Sequence, residues 1–182
     1  GSLLSLNLSR NAIGDSAVES IASMLRCNKV LQSLDLSCTS LDTKCIQIVA
    51  ESLHDNQSLL NLSLAGNFVD AGGATHLSTL LRQNATLQSL NLGINQIKDG
   101  VEYISAALLH NKTLRTLDLT RNQIGDRGAK MMALALRENS ALTGLELGVN
   151  QIGVEGIKVI TEALRGNTTL KTLGLDHNKF GD

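Results

Sequence analysis

Leu114-Arg-Thr-Leu-Asp-Leu-Thr-Arg-Asn122-Gln-Ile-Gly-Asp-Arg-Gly-Ala-Lys-Met-Met-Ala-Leu-Ala-Leu-Arg-Glu-Asn139 changes its hydrophobic period once, and that change decides the fold. Leu117 and Leu119 alternate with Thr116, Asp118 and Thr120, the period-2 pattern of a short strand with one buried face. Beyond Asn122 the small and apolar residues Gly128, Ala129, Met132, Ala133 and Leu136 share one face of a helix. Asp126 stands where a helix N-cap is expected, matched by Asp15, Asp42 and Asp70. Asn139 closes the segment, as Asn28, Asn56, Asn84, Asn111 and Asn167 do elsewhere. Asparagine tolerates left-handed backbone, so a left-handed C-cap is the expectation at all six.

The unit recurs along the chain. L-x-x-L-x-L-x-x-N opens at Leu3, Leu31, Leu59, Leu87, Leu114, Leu142 and Leu170, spaced 28 residues apart except for an interval of 27 after Leu87. A fixed period of this size marks a solenoid whose units bury their apolar faces against their neighbours. Residues 1–182 therefore read as one elongated α/β domain of about seven repeats. Parallel strands, right-handed crossovers and outer helices are expected. Strands sit ~4.8 Å apart whereas packed helices need ~8–10 Å, so the sheet must line the concave side. Asn122, with Asn11, Asn67, Asn95, Asn150 and Asn178, forms a ladder of amides that can both donate and accept. Thr39 interrupts it, predicting a rung weaker by about 1 kcal/mol. One residue is missing between Asn95 and Gly100, which predicts a shortened or displaced helix start near Asp99.

The full consensus, L-x-x-L-x-L-x-x-N-x-I-G-D-x-G-A-x-x-(L/I/M)-A-x-x-L-x-x-N-x-T-L, resembles the ribonuclease-inhibitor type of leucine-rich repeat over essentially the whole chain. The likeness is clearest from Leu117 to Asn139 and from Leu145 to Leu170. Similar repeats occur in ribonuclease inhibitor, the Ran GTPase-activating protein, NOD-like immune receptors and some bacterial effectors. The near-28 period is more similar to the receptor and effector arrays. The resemblance implies a horseshoe that binds another macromolecule, most readily a protein, on its concave face. It also admits a GTPase-activating regulator of a small GTPase, or a sensor arm of an immune receptor or effector. Repeat residues build the scaffold and do not select among these.

Composition narrows the classes further. Sixteen basic residues against seventeen acidic, without a like-charged run, give no footprint for nucleic acid or an anionic membrane. No stretch approaches the ~18 apolar residues of a membrane span, and no signal peptide is visible; Gly1-Ser2 reads as a cloning scar. The chain starts directly on a strand at Leu3 and stops at Phe180-Gly-Asp182, so a piece of a longer protein is expected, with self-association through its uncapped apolar ends. Cys27, Cys38 and Cys45 form no paired spacing, which favours a reducing, cytoplasmic setting. Cys27 falls in a variable exposed slot, and Cys45 in the small-residue slot of Gly73, Gly100, Gly128 and Gly156.

Function can be written only in the variable outward positions of the strands. The central column runs Asn7, Asp35, Ser63, Asn91, Asp118, Glu146, Gly174, and the exit column Arg10, Cys38, Gly66, Ile94, Arg121, Val149, His177. A leading column adds Leu4, Gln32, Leu60, Gln88, Arg115, Thr143 and Lys171. Charge gathers in the last three repeats, making Arg115, Asp118, Arg121, Glu146, Lys171, Asp176 and His177 the candidate partner-binding residues. Mixed charge gives register and specificity more than affinity. Trp and Tyr, frequent in hot spots, are missing from these columns, so weak to moderate, salt-sensitive binding is expected. Asp176-His177 has no nucleophile beside it in sequence, and neither metal-ligand spacing nor a phosphate-cradling glycine motif occurs. The expected protein is non-enzymatic and carries no cofactor or metal.

Overall fold

The computed structural model describes residues 2–181; Gly1 and Asp182, the outermost residues of the readings at the two termini, lie outside the described residues. Seven three-residue strands alternate with six helices: β1 Ser5–Asn7, α1 Asp15–Cys27, β2 Ser33–Asp35, α2 Thr43–Ser52, β3 Asn61–Ser63, α3 Ala71–Gln83, β4 Ser89–Asn91, α4 Val101–Leu108, β5 Thr116–Asp118, α5 Gly125–Glu138, β6 Gly144–Glu146, α6 Val154–Leu164 and β7 Thr172–Gly174. The strands pair in sequence order, all in parallel. Register sets the central leucines of the strands in one row, Leu34, Leu62, Leu90, Leu117 and Leu145 among them. A second row, Leu36, Leu64, Leu92, Leu119 and Leu147, is at most 1% exposed. Both rows face the helices' Ala, Val, Ile and Leu side chains in one continuous core. The fold is the expected right-handed α/β repeat solenoid, with the narrower sheet on its concave side.

The loop asparagines join adjacent repeats. Asn67 Nδ2 donates to Leu36 O of the preceding repeat at 2.9 Å, and its Oδ1 accepts from Thr39 N and Leu41 N. Asn95, Asn150 and Asn178 repeat the scheme. Thr39 donates only to Leu36 O in its own loop and to Asn67 Oδ1, so no side-chain rung reaches back to the first repeat at this level.

The helix-closing asparagines correct the expectation of left-handed caps. Asn28, Asn84 and Asn139 have φ of −75°, −77° and −75°, with extended ψ. They belong to a second ladder. Asn56, Asn84, Asn111, Asn139 and Asn167 each donate to a helix-end carbonyl of the preceding repeat at 2.6–2.8 Å. Each Oδ1 accepts from the backbone two and three residues on, as Asn84 does from Thr86 N and Leu87 N. Left-handed backbone lies instead at the strand exits, where all seven residues from Arg10 to His177 have positive φ.

Helix starts also depart from expectation. Asp42 and Asp70 cap their own helices, accepting from Cys45 N and Gly73 N at 2.9 Å each. Asp15 and Asp126 lie inside α1 and α5, whose N-caps, Gly14 and Ile124, have no capping side chain. Both carboxylates point to the next repeat, Asp15 to Lys44 and Asp126 to Gly153 and Gly156. In the shortened fourth repeat a 3-10 turn at Lys98–Gly100 precedes an eight-residue α4, the shortest of the six helices, as the missing residue predicts.

Candidate functional site

The strand alternation that buries Leu117 and Leu145 turns Asp118 and Glu146 outward, side by side in register on β5 and β6. The Glu146 carboxylate leans over Gly174, filling space that a side chain there would need, and Asp176 lies likewise over Gly148. The three acids thus form a stripe along the middle of the sheet face. Two basic edges border it. Arg115 and Lys171 stand where the chain enters β5 and β7, Arg121 and His177 in the left-handed turns after them.

These groups are unequally engaged. Asp118 Oδ1 accepts from Thr120 N at 2.8 Å, a turn contact shared by Asn7, Asp35 and Asn91 two residues before their own partners. Part of the central column therefore serves the backbone. Arg115 Nη1 donates to Ala141 O at 3.0 Å. Asp176 Oδ2 lies 2.9 Å from His177 Nδ1, and this hydrogen bond holds the Asp176 carboxyl below the usual carboxylate range. Among the described residues, Arg121, Glu146 and Lys171 make no side-chain hydrogen bond and enter no ion pair.

On the outer helices some charges pair and others, such as Arg82 and Lys130, do not. Lys44 meets Asp15 at 3.1 Å, Arg127 meets Asp99 and Glu102 at 3.4 and 3.5 Å, Arg137 meets Glu162 at 3.6 Å, and Lys158 meets Glu155 at 2.9 Å. Four of these five contacts bridge neighbouring repeats. The middle of the sheet face is neutral, with hydroxyl pairs Ser37–Ser63 at 2.7 Å and Thr116–Ser89 at 2.8 Å.

Phe68 and Ile94, exposed by 54% and 56%, stand out at the strand-exit edge and were not legible as anchors. Ile94 read as one member of a variable column; only the glycine at the equivalent Gly66 hinted at left-handed backbone. On the outer side, α2 ends a turn earlier than α1 and α3, its last residues tightening into bonds such as His54 N to Glu51 O. A depression of about 440 Å³ results, bordered by Arg26, His54, His76 and Gln83. His54 and His110 follow helices and His76 lies within α3. Cys45 is buried and burial pushes its thiol up, whereas Cys27 and Cys38 are exposed. Among the described residues no group of three or more His, Cys, Asp or Glu is placed to hold a metal ion, and no helix is long and apolar enough to cross a membrane.

The family model described as "Leucine Rich repeat" matches residues 2–22, 83–103, 110–133 and 166–182. No curated protein sequence matches the chain. Among solved structures, leiomodin-1 actin-binding site 2 is similar, with 22% identity, a TM-score of 0.72, and coverage of 84% of this chain and 89% of that one. The tropomodulin C-terminal domain of Caenorhabditis elegans is similar at 19% identity and a TM-score of 0.69, over 82% of this chain and 92% of that one. At these identities the likeness is one of fold, and the fold is a leucine-rich-repeat solenoid.

Proposed function

We propose that this chain is a non-enzymatic protein-binding scaffold of ribonuclease-inhibitor-type repeats, gripping its partner on the concave sheet face of the last three repeats. One observation carries the reading: Arg121, Glu146 and Lys171 stand without ion-pair partners among the described residues in three adjacent rungs of one sheet face, with Glu146 in register beside Asp118. Exposed ion pairs stabilise a fold little, so unpaired charges in adjacent rungs gain their value from a complementary surface. An acidic stripe between two basic edges presents a pattern that a partner must match in register, which favours specificity. The fold supports the same use, since one chain that shares it is an actin-binding site of leiomodin-1. That likeness does not assign actin to this chain.

The test is charge reversal. Glu146→Lys and Arg121→Glu are preferable to Asp118 variants, because Asp118 also holds its own turn. Captured partners from cell extract, quantified at low and high salt, should be lost from these two variants. They should be retained by the outer-face reversals Lys130→Glu and Glu162→Lys. Loss from the outer-face variants alone would move the site to the helices and overturn the proposal. Stimulated GTP turnover by candidate small GTPases would replace it with the regulator reading.

A further inference from the structure

The turns that follow the strands border a groove that the sheet-face charges do not explain. It has two halves that meet at Arg121 and Gln123, one of about 410 Å³ reaching Phe68 and Ile94, the other of about 440 Å³ reaching Val149 and Lys179. No acidic residue lines either half. His177 is already engaged by Asp176, and the groove's Arg121 and Lys179 enter no ion pair among the described residues. One end of the groove is thus apolar and exposed, and the rest is basic.

Two residues occupy this edge against the preference of the backbone. Ile94 has φ of 57° and Val149 of 56°, left-handed values that β-branched side chains seldom adopt. The equivalent residue in the third repeat is Gly66, which takes φ of 65° without a side chain to crowd. Ile94 is also more than half exposed. An apolar, β-branched, exposed residue in a left-handed turn contributes little to folding, and such outliers concentrate where a surface serves binding. Between the two ends, Gln96, Gln123 and Gln151 recur at one exposed position of successive repeats, offering amides that can pair with an extended backbone.

We propose that this groove takes an extended peptide segment of a protein partner, with an apolar side chain seated on Phe68 and Ile94 and acidic side chains against Arg121 and Lys179. Phe68 and Lys179 lie four repeats apart. At ~4.8 Å per rung the groove spans roughly 19 Å, about six extended residues. The inference rests on the reading of the chain as a protein-binding scaffold, and it adds a surface along the strand-exit turns that meets the sheet-face site at Arg121.

The experiment is fluorescence anisotropy on the whole chain with labelled octapeptides of sequence LLSGSEEE, its reversal EEESGSLL, and the counterpart LLSGSKKK. One of the two acidic peptides should bind, more weakly as salt rises, and the lysine peptide should bind at least tenfold less. Ile94→Asn places a residue that accepts left-handed backbone, so its melting temperature should equal or exceed that of the parent while peptide affinity falls at least tenfold. Lys179→Glu should lose affinity by a similar factor. Failure of both acidic peptides to bind, or equal affinity for the Ile94→Asn protein or the lysine peptide, would overturn the proposal. Glu146→Lys separates the two readings. Peptide binding that survives it while partner capture is lost supports both surfaces, whereas partner capture without any peptide binding removes the groove alone.

Discussion

Asp126 caps the helix to which Gly156 belongs, not its own: its Oδ1 accepts from Gly153 N at 2.7 Å and from Gly156 N at 2.8 Å across the repeat boundary. The exchange has a cause in sequence. α2 and α3 begin after Asp42 and Asp70, but α6 begins after Gly153, which has no side chain to accept. Its first-turn N–H groups would otherwise lack partners. The neighbour's carboxylate supplies an acceptor for two of them, and side-chain contacts cross other repeat boundaries, Lys44 Nζ donating to Asp15 and Thr43 Oγ1 to Asp70. Stability in an array resides largely in such contacts between neighbours.

That arrangement predicts a reversal of sign. Asp126→Ala should cost about 1 kcal/mol, the usual value of a lost N-cap. Gly153→Asp in the parent should be unfavourable, because a Cβ there would lie 3.0 Å from Asp126 Oδ2 and a second carboxylate would repel the first. In the Asp126→Ala background the same Gly153→Asp change should restore stability by rebuilding a local cap. Urea midpoints of the four proteins form the cycle. Additive effects would show that the two positions do not share the cap.

The asparagine ladder predicts a gain as well as a loss. Thr39 is fully buried yet sends no bond to the preceding repeat, whereas Asn67, Asn95 and Asn150 each donate across it. Thr39→Asn should raise stability by about 1 kcal/mol if its amide reaches Leu8 O. Asn95→Thr removes a donor from Leu64 O and an acceptor from Asn67 N and Val69 N, and should cost about 2–3 kcal/mol. Thermal denaturation reads both. A Thr39→Asn protein less stable than the parent would mean that the first loop is shaped around the hydroxyl.

Acid should weaken the helix starts in a defined window. Backbone N–H donors from Cys45 and Gly73 hold Asp42 and Asp70 below the usual carboxylate range, Thr43 adding to the second. A carboxyl whose folded value is depressed contributes stability above its unfolded value of ~3.9, and the contribution disappears as pH falls through the folded value. Stability should therefore decline below about pH 4. The doubly substituted Asp42→Asn, Asp70→Asn protein, which keeps an accepting oxygen without a titrating proton, should decline less steeply. Identical slopes for the two proteins would exclude these caps as the source.

The strands and helices were legible because Leu117 and Leu119 alternate while Met132 and Leu136 follow a helical spacing, and both signals are local. The acidic stripe was legible for the same reason, since alternation alone turns Asp118 and Glu146 outward. Which helix Asp126 caps was not, because the answer depends on Gly153 in another repeat. The amides of Asn84 and Asn139 suit either a left-handed cap or a donor to the neighbour. Burial against the preceding repeat selects the second, and burial is a property of the stack. The groove at Ile94 was hidden most deeply. Its left-handed backbone is imposed by the turn on every strand-exit residue alike, and a β-branched side chain is the last type that sequence preference would place there.

The close approach of α3 and α4 gives the last prediction. A Cβ added at Gly100 would come within 2.6 Å of Ala71 Cα and 3.0 Å of Ala71 Cβ, backbone and short side chain that cannot swing aside. Gly100 closes the 3-10 turn that replaces a regular helix start in the shortened repeat, so the loop has no slack to let α4 retreat. Gly100→Ala should cost about 1–3 kcal/mol, the range for overpacking. Gly166 provides the contrast. It follows α6 with nothing within 4 Å of its added Cβ and no positive φ, so Gly166→Ala should be neutral or stabilise by about 0.4–1 kcal/mol through the unfolded chain. Opposite signs in chemical denaturation would locate the cost in contact between the helices. Equal effects would mean that the added methyl acts through helix preference alone, and the close approach would lose its role.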